Sequence, residues 1–536
     1  MRNRIQKSES FAIVFQELLT PSDMRKTEQL AFDAGMPSIL LMEHAALQVV
    51  NALEKELGGD CRGKRVVFLC GTGNNGGDGL AAARLFRMRG GYPEIWLSGD
   101  PKTPDAKTNL KLARECRIDI LNLSELPREE WPFSEGFRPN EHHDGYVDAL
   151  LGIGMKGKPD FITSAMMLAP YHDFGNHTVI AVDVPSGMDA LTGDCPGTYV
   201  HADVTVTFHA AKPGLYLSQD RDAVGKIVAA DIGLKDWDCC YLDEKEMDLE
   251  ITTPAHMMML PERAVDTHKG DCGRILIYAG SMGMAGAAAM CARAAVTAGA
   301  GLVTIACPKE IIPILQVLVP NAMCVDIEEA VKNPPPYDVL AVGCGLTQSE
   351  EIWENILKLY DPGRPSVWDA DALNLLSKHP MKLGENAVIT PHPGEAARLL
   401  GCPADQVLVD PLATARMLQE KYACCALLKG DMSIACGSLR GTNKHRYVFN
   451  ALGTPALAKG GSGDALTGII AALLHGEKTN ASIVSVACAW HGMAGVIGEK
   501  KYGQRELTTS QLIDCLHEAE KWGKGEIPPP EGWEDC

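Results

Sequence analysis

Two glycine-rich segments of the chain each carry an aspartate where a helix is expected to begin. The first is CGTGNNGGDGL at residues 70–80, and the second is AKGGSGDALTG at residues 458–468. Glycines leave room for backbone N–H groups to turn toward a ligand, and a helix N-terminus favours negative charge there. Both segments therefore predict anion sites without a Walker motif. A purely structural turn is the alternative for the first segment.

The second segment also suggests phosphoryl-transfer chemistry. Asp464 lies beside the amides of residues 461–463, so it can accept a proton from a hydroxyl while those amides neutralise a phosphoryl group. Lys429 precedes Gly430 and can reach nucleotide phosphates, and His392 stands between two prolines after an expected strand. The alternatives are an N-cap role for Asp464 and a structural role for His392.

Polar residues also follow expected strands in the first half of the chain. Asp148 precedes the loop GIGMKGK (residues 152–158), and VDVPSGMD contains Asp183 and Ser186. The carboxyl ends of strands are where open α/β sheets bind ligands, so each aspartate is a candidate general base or cation ligand. Taken singly, each is better explained as a helix cap or turn former.

The elements that position these residues alternate between apolar strands, glycine turns and helices. Residues 65–70 (RVVFLC) predict a strand, and Asp78 to Met88 predict the helix that follows it. The same order resumes after residue 270 and predicts parallel sheets covered by helices. The acidic and Pro- and Met-bearing run from Asp236 to Pro261 interrupts it. We therefore expect an α/β chain with two domains, over residues 1–240 and 250–525.

Composition excludes several classes of protein. The net charge of −19 argues against a nucleic-acid-binding surface, although backbone amides can still build local anion sites. None of the 18 cysteines has C-x-x-C spacing, so we expect reduced thiols rather than zinc sites or disulfides. The charged N-terminus shows no secretory signal, and the uncharged stretch from Ile275 to Ala292 predicts a strand, turn and helix rather than a membrane span. We expect a cytoplasmic protein.

Over residues 11–235 the chain resembles the epimerase domain of the NAD(P)H-hydrate repair family, which has a Rossmann-like three-layer α/β/α fold. The shared segments are PSILLME (37–43), GNNGGDG (73–79), DALLGIG (148–154), VDVPSGMDALTG (182–193), VTFHAAKPGL (206–215) and ADIGL (230–234). The resemblance implies a potassium ion held by Asn75, Asp148 and Ser186, and acid/base work by Asp183. It implies substrate contacts at Asn74, Asn75, Gly76, Gly77, Asp78, Gly152, Ile153, Gly154, Met155, Lys156, Gly157, Lys158 and Asp183. His44 departs from the usual M-E-N-A-G.

Over residues 250–520 the chain resembles the dehydratase domain of the same family, which is ribokinase-like. The shared segments are HKGDCGRILIYAGS (268–281), GCGL (343–346), WDADALNLL (368–376), TPHPGEAARLLG (390–401), LKGDMS (428–433) and AKGGSGDALTG. The implied hydrate contacts are Ala287, Gly345, His392 and Asp464, the last being catalytic. The implied nucleotide contacts are Lys429, Gly430, Asp431, Met432, Ser433 and Gly463. Cys344 for the usual Pro, NALGTP (450–455) and Ser433 for Thr depart from the pattern.

The two resemblances together imply a bifunctional enzyme that repairs hydrated NADH and NADPH (NADHX and NADPHX). One domain would interconvert the R and S epimers at C6 of the nicotinamide, with potassium. The other would dehydrate the S form with ADP and Mg²⁺, giving AMP and phosphate. The family also implies a homo-oligomer. The alternatives are a ribokinase-like metabolite kinase with an accessory nucleotide-binding domain, and a non-catalytic binding module.

Overall fold

The computed structural model describes residues 15–132, 142–155, 157–173, 176–234, 247–439, 444–475, 481–531 and 533. The chain divides into two compact units, which we call the N-terminal unit (residues 17–245) and the C-terminal unit (residues 246–534). The short strand β1 (Phe15–Glu17) begins the sheet of the C-terminal unit. The domain limits 1–240 and 250–525 stay predictions.

One sheet of seven parallel strands forms the centre of the N-terminal unit. Its strands are β2 (Arg65–Cys70), β3 (Tyr92–Leu97), β4 (Asp119–Asn122), β5 (Gly145–Ala149), β6 (Thr178–Val182), β7 (Val204–Phe208) and β8 (Lys226–Ala230). They lie in the order β4-β3-β2-β5-β6-β7-β8. The chain runs outward from β2 to β4 and then returns to β5. The carboxyl ends of β2 and β5 therefore border the point of reversal, where such sheets bind ligands.

Helices cover both faces of this sheet. They are α1 (Pro21–Asp33), α2 (Ser38–Glu56), α3 (Asn74–Met88), α4 (Pro104–Glu115), α5 (Phe161–Met167), α6 (Ala169–His172) and α7 (Pro213–Leu217). Along β2, Phe68 belongs to a core shared with α2 and α3, whereas Leu69 belongs to a core shared with Met166 of α5. Successive side chains of a strand point to opposite faces, so a strand covered on both sides is apolar throughout. The expected three-layer, Rossmann-like arrangement is confirmed.

The C-terminal unit is built on a sheet of eleven strands. After β1 these are β9 (Met247–Thr252), β10 (Arg274–Tyr278), β11 (Leu302–Cys307), β12 (Met323–Asp326), β13 (Val339–Val342), β14 (Ser366–Trp368), β15 (Ala387–Ile389), β16 (Cys425–Leu428), β17 (Ser433–Ser438) and β18 (His445–Asn450). Their order is β1-β9-β18-β17-β16-β15-β14-β13-β10-β11-β12. The pairs β16–β17 and β17–β18 are antiparallel. The order reverses between β10 and β13, which predicts the ligand site there.

The helices of the C-terminal unit flank this sheet. They are α8 (Ala285–Thr297), α9 (Ile312–Leu318), α10 (Ile327–Lys332), α11 (Glu350–Leu359), α12 (Ala370–Lys378), α13 (Pro393–Leu400), α14 (Ala404–Val409), α15 (Pro411–Tyr422), α16 (Ser462–Leu473), α17 (Ala481–Tyr502), α18 (Thr509–Asp514) and α19 (Leu516–Gly523). Among the described residues only α17 is long and apolar enough to cross a membrane. Its apolar window is 94% buried, so it is the core helix of this unit. The stretch from Ile275 to Ala292 forms β10, a turn and the start of α8, as expected.

The start of α3 differs from the sequence-based expectation. We expected the helix to begin at Asp78, because two glycines precede that residue, but it begins at Asn74. A Cβ at Gly77 would come within 2.6 Å of the Met42 side chain. This close packing offsets the poor helix propensity of glycine, so tertiary contact overrides the local preference.

Candidate functional site

The glycines after β2 allow close packing as well as an open helix end. A Cβ at Gly71 would lie 1.9 Å from the carbonyl oxygen of Leu150, and one at Gly76 would lie 1.9 Å from the carbonyl oxygen of Gly71. Gly73, the N-cap of α3, faces open space. Gly71 and Gly76 are therefore required because backbone approaches backbone, and Gly73 leaves the helix end clear.

A buried polar cluster lies where the strand order of the N-terminal unit reverses. Asp148, at the end of β5, is 0% exposed; its Oδ1 accepts from Ser186 Oγ at 2.6 Å and its Oδ2 from Ser186 N at 2.8 Å. The side-chain oxygen of Asn75 lies 3.1 Å from where a Cβ would stand on Gly152. Asn75 Nδ2 is buried and has no hydrogen-bond partner within the described residues. The fold thus brings together strand ends that are far apart in sequence.

The electrostatics of this cluster suit a cation. Burial raises the pKa of Asp148 to about 6, although the hydrogen bonds from Ser186 and Leu150 oppose that rise. In the described ranges no lysine, arginine or histidine forms an ion pair with Asp148. A buried carboxylate without a cationic side chain is costly unless a further partner is supplied, and the side-chain oxygens of Asp148, Ser186 and Asn75 are of the kind that bind such a cation. The residues present therefore fit a monovalent cation.

Asp183 follows β6 and lies in a different environment. Its φ angle is 68°, in the left-handed region that non-glycine residues rarely adopt. Its Oδ1 accepts hydrogen bonds from Lys212 Nζ at 2.5 Å, Thr207 Oγ1 at 3.2 Å and Phe208 N at 3.3 Å. Lys212 is 0% exposed. Asp183 is thus a buried, ion-paired carboxylate in a strained position, which is typical of a functional site.

Three carboxyl groups line a cavity near Asp183. Glu28 of α1, Asn74, Asp78 and Asp105 line this cavity of about 330 Å³, and Phe208, whose N–H donates to Asp183 Oδ1, lines it as well. Burial, and then the charge of Asp183, raises the pKa of both Glu28 and Asp78. Asp183 is not part of the lining, but it lies close enough to act on two of these carboxyl groups, and carboxyl groups with shifted pKa values suit acid/base chemistry.

In the C-terminal unit, Asp464 lies in the first turn of α16. The N-cap is Gly461, with φ of 90°, so the N-cap alternative for Asp464 is wrong. The first amides of a helix have no partner within the helix, and they make this end an anion site. Burial raises the pKa of Asp464 to about 6, while a hydrogen bond from the Cys344 thiol lowers it. Asp464 can therefore gain or lose a proton near neutral pH.

A second aspartate stands beside that anion site. Asp369 follows β14 and is 2% exposed. Its Oδ1 accepts from Lys429 Nζ at 2.8 Å, and its Oδ2 accepts from Thr467 Oγ1 of α16 at 2.8 Å. A Cβ on Gly463 would lie 3.5 Å from Lys429 Nζ. The ion pair thus fixes an ammonium group next to the start of α16.

A cavity of the C-terminal unit opens at the same place. It has a volume of about 800 Å³ and joins the ends of β15 and β16 to the start of α16. Its lining includes His392, Lys429, Gly430, Asp431, Ser433, Ser462, Gly463, Leu466, Cys488 and His491. Apolar side chains line one part of the cavity, and backbone amides together with the Lys429 ammonium line another part. This combination suits a nucleotide.

His392 is a helix cap as well as a cavity residue. Its Nδ1 accepts from Gly394 N at 3.1 Å, and its own N–H donates to Glu395 Oε2 at 2.9 Å, which completes a capping box on α13. Burial and the neighbouring Lys429 lower the pKa of His392. The imidazole is therefore neutral at pH 7, and its exposed edge can still meet a ligand.

The comparisons with known proteins match both units. Residues 38–214 match the family model described as YjeF-related protein N-terminus, and residues 275–518 match the model described as NAD(P)H-hydrate dehydratase. The bifunctional NAD(P)H-hydrate repair enzyme Nnr of Moorella thermoacetica is 34% identical over 526 residues, covering 93% of this chain and 96% of the relative. The chain belongs to the bifunctional NAD(P)H-hydrate repair enzyme family. Membership over the whole length does not favour the metabolite-kinase alternative.

Other relatives of this repair family agree. The Escherichia coli enzyme of the same name is 34% identical over 501 residues, with 92% of each chain covered. Among solved structures, the ADP/ATP-dependent NAD(P)H-hydrate dehydratase of Bacillus subtilis, co-crystallised with ATP and Mg²⁺, is 28% identical with a TM-score of 0.46. That similarity covers 51% of this chain and 97% of the Bacillus chain.

The structure of this family member places most of the predicted N-terminal residues around β2, β5 and β6. Asn74 and Asp78 line the cavity, while Asn75, Asp148 and Ser186 form the buried cluster. The loop after β5 adjoins that cluster through Gly152, but Lys158 packs near Gly197 instead. Lys156 lies outside the described residues. The remaining predicted contacts are Gly76, Gly77, Ile153, Gly154, Met155 and Gly157, and none of these lines the 330 Å³ cavity.

The predicted C-terminal residues gather around β10, β13 and α16. A Cβ on Gly345 would lie 3.0 Å from the Ala287 side chain, so these two positions adjoin at the reversal of strand order. His392, Lys429, Gly430, Asp431, Ser433 and Gly463 share the large cavity. Met432 is 7% exposed and does not line that cavity. The roles of all these residues stay predictions.

The sequence analysis did not single out Lys212, which pairs with Asp183, or Asp369, which pairs with Lys429. Lys212 lies in an apolar run, VTFHAAKPGL, and a lysine there is the one signal of a buried charge that needs a partner. Asp369 lies within WDADALNLL, whose first aspartate directly follows a strand. Glu28 carries no local signal, and Thr467 lies in the segment AKGGSGDALTG but meets Asp369 only in the fold.

Proposed function

We propose that this chain restores hydrated NADH and NADPH in two steps, one in each unit. The N-terminal unit interconverts the R and S hydrates at C6 of the nicotinamide, and the C-terminal unit dehydrates the S hydrate with ADP. The observation that carries the proposal is that each unit combines an aspartate with a helix N-terminus that no side chain caps: Asp183 with α3 in the N-terminal unit, and Asp464 with α16 in the C-terminal unit. Membership of the repair family supports the same two activities.

For the N-terminal unit we assign proton transfer at C6 to Asp183. The cavity bordered by Asn74 and Asp78 adjoins Asp183 through Phe208, so a nicotinamide ring there meets Glu28 and Asp78, two carboxyl groups of raised pKa, close to the carboxylate of Asp183. The open N-terminus of α3 favours the pyrophosphate of the dinucleotide. The other predicted substrate contacts, in residues 74–78 and 152–158, belong to this proposal.

For the C-terminal unit we assign the general base to Asp464. Asp464 takes the proton of the C6 hydroxyl, and that oxygen forms a bond to the β-phosphorus of ADP as the bond to AMP breaks. The C6–O bond then breaks with its electrons going to phosphate, C5 loses a proton, and the C5–C6 double bond is restored. Lys429 and the amides at the start of α16 stabilise the transferring phosphoryl group. The products balance as reduced nucleotide, AMP and phosphate.

We assign the two metal ions of this proposal, potassium and magnesium, to different residues. We assign potassium to Asn75, Asp148 and Ser186, which form the buried cluster without a cationic side chain. Magnesium supplies positive charge to the phosphates of bound ADP. Residues in the described part of the chain include no cluster of three His, Cys, Asp or Glu side chains, which fits an ion carried mainly by phosphates. Asp431, at the nucleotide cavity, is the carboxylate that we assign to it.

The direct test supplies the purified full-length chain with separated R and S hydrates. With ADP and Mg²⁺ we expect the S hydrate to regain the absorbance of reduced nicotinamide, with one AMP and one phosphate formed per molecule. We expect the R hydrate to be consumed faster than it epimerises spontaneously. Phosphorylation of small hydroxymethyl compounds by ATP, without recovery of reduced nucleotide, would support the kinase alternative instead.

Potassium binding has a readout that does not depend on activity. We expect KCl to raise the Tm of the N-terminal unit relative to equal N-methylglucamine chloride, because a ligand of the folded state stabilises it. Since the pKa of Asp148 is about 6, its proton competes with the cation below that pH, and the gain should grow as pH rises through 6. Asp148→Asn should remove the gain. An equal gain in that variant would contradict the assignment.

Three further predictions complete the proposal. We expect a homo-oligomer, a cytoplasmic location and no nucleic-acid partner. Light scattering of the purified chain measures the first, and a gel-shift assay with duplex DNA and RNA measures the last.

A further inference from the structure

The hydrogen bonds of Asp183 are divided unequally between its two carboxylate oxygens. Lys212 Nζ, Thr207 Oγ1 and Phe208 N all donate to Oδ1. Within the described residues Oδ2 accepts no hydrogen bond, although the side chain is only 10% exposed. One oxygen is therefore fully engaged, while the other keeps its lone pairs.

Lys212 has no proton left to give to a ligand. Its ammonium group donates to Asp183 Oδ1 at 2.5 Å, to Thr207 Oγ1 at 3.0 Å and to the carbonyl oxygen of Phe208 at 3.0 Å. An ammonium has three donors, so all are used. Lys212 is 0% exposed and cannot reach a substrate. Any effect of Lys212 on the chemistry must therefore pass through Asp183.

The backbone around Asp183 adds to this restraint. Asp183 holds its left-handed φ of 68° while its N–H donates to Val206 O at 2.8 Å. A strained backbone conformation persists only when the surrounding contacts hold the residue in it. The carboxylate is thus held at its backbone and at one oxygen, which leaves the second oxygen in a fixed direction.

The charges around Asp183 make Lys212 its essential counter-ion. Glu28 of α1 and Asp78 of α3 both interact with Asp183, and each has a raised pKa. Other charged or titratable groups act on that carboxyl pair: Arg25 and His209 on Glu28, and Asp105 on Asp78. Only Lys212 forms an ion pair with Asp183 in the described part of the chain. Lys212 therefore supplies the positive charge that contacts this carboxylate.

We propose that Lys212 and Thr207 are positioning residues of the epimerase site, which hold Oδ1 of Asp183 so that Oδ2 exchanges the proton with the substrate. The inference rests on the proposed acid/base role of Asp183. Lys212 and Thr207 both donate to Oδ1, and Thr207 joins the lysine to the carboxylate by bonding to both. Without these donors the carboxylate is free to rotate.

The test compares Lys212→Met, Thr207→Val and Thr207→Ser in the full-length chain. Epimerisation is measured without ADP by chromatography of the hydrates, from pH 5 to pH 9. Dehydration of the S hydrate by the same protein reports that the C-terminal unit is folded, and the thermal transition of the N-terminal unit reports the folding of that unit. Lys64→Met is the matched control, because it removes a lysine that pairs with Asp144 at 3.0 Å on the surface of the same unit.

We expect Lys212→Met to lower the kcat of epimerisation by about 100-fold, the typical contribution of a positioned acid/base group, with KM changed by less than about threefold. The pH–rate profile of this variant should differ from that of the parent, because a donor to Oδ1 of Asp183 is gone. Thr207→Val should lower kcat by about tenfold, as expected for one lost hydrogen bond to a charged group. Thr207→Ser keeps the hydroxyl and should restore at least half of the activity.

The outcomes separate this inference from the proposed function. If Asp183→Asn keeps its epimerase activity, the role of Asp183 itself is wrong. If that variant is inactive but Lys212→Met and Thr207→Val keep the kcat and pH profile of the parent, positioning is overturned and the role of Asp183 stands. A change confined to KM also overturns it. If Lys212→Met loses the thermal transition of the N-terminal unit, the test rests on the comparison of Thr207→Val with Thr207→Ser. An equal kcat of epimerisation in these two variants then overturns the proposal.

Discussion

Each unit buries one aspartate–lysine pair at the carboxyl edge of its sheet, but the two pairs are built differently. Asp183 and Lys212 meet at 2.5 Å, and all hydrogen bonds to the carboxylate go to Oδ1. Asp369 and Lys429 meet at 2.8 Å, and Thr467 occupies the second oxygen of Asp369. The first carboxylate keeps one oxygen for chemistry, whereas the second has none to spare.

This difference leads us to propose different kinds of carboxylate for the proton-transfer step. In the C-terminal unit we propose Asp464, which has no ion pair within the described residues and whose pKa is raised to about 6 by burial. In the N-terminal unit we propose the ion-paired carboxylate of Asp183. A lysine near an aspartate therefore does not by itself identify the proposed acid/base group; an oxygen without a hydrogen bond is the better guide.

The largest expected effect is that of Asp464→Asn. An amide cannot take the proton of the C6 hydroxyl, so we expect dehydration of the S hydrate to fall by about 1,000-fold or more. Epimerisation should stay within about twofold of the parent, since changes at distant, independent sites act separately. Both rates are measured on one preparation. A dehydratase that keeps a tenth of its activity would contradict the assignment.

Lys429→Met should act on stability and nucleotide binding together. Removing it leaves Asp369 buried without its cation, which we expect to lower the free energy of unfolding of the C-terminal unit by about 3 kcal/mol. The KM for ADP should rise because the ammonium beside Gly463 is lost. Urea unfolding, monitored through the loss of dehydratase activity, measures the change in the free energy of unfolding. Adding Asp369→Asn should recover part of the stability; strictly additive losses would mean that the pair is not coupled.

The pH dependence of dehydration gives a finer test. Because the folded-state pKa of Asp464 is about 6 and the base must be ionised, kcat should fall as pH drops through 6. Cys344→Ala removes the thiol hydrogen bond that lowers this pKa, so the acidic limb should move upward by about half to one pH unit. Cys291→Ala is the matched control, since Cys291 hydrogen-bonds to Cys344 and shows no interaction with Asp464. Equal shifts in both variants would contradict the hydrogen bond.

The smallest expected effect is a gain of stability in Asp78→Asn. Burial and three neighbouring carboxyl groups raise the pKa of Asp78, so its ionisation costs stability as pH rises through that value. Asparagine removes this cost, and the Tm of the N-terminal unit should rise by about 2–4 °C at pH 8. At pH 5 the gain should be smaller. A gain independent of pH would show that charge is not its cause.

The glycine-rich segments were predictable because their chemistry is local. Gly73 and the start of α16 lie where the residue pattern put them, and Asp464 stands beside the expected amides. The predicted start of α3 was wrong by about one turn, because the packing of Gly77 on Met42 cannot be read from the sequence. Glu28 was missed because nothing near it in the chain signals a ligand, whereas Asp369 and Thr467 lie in the segments WDADALNLL and AKGGSGDALTG but meet only in the fold.

The sequence by itself determined two α/β units and the glycine-rich turns proposed to bind anions, and its resemblance to the repair family singled out the aspartates proposed for catalysis. The units and turns follow from short-range rules: apolar runs form buried strands, and glycine permits close approach of a ligand or backbone. Only the tertiary structure decided which lysine neutralises which aspartate, and which carboxylate oxygen stays free. Lys212 and Asp183 come from separate strand ends, so their 2.5 Å contact exists only once β6 and β7 pair. Charge pairing at that distance is a property of packing, because a buried charge is tolerated only beside its partner.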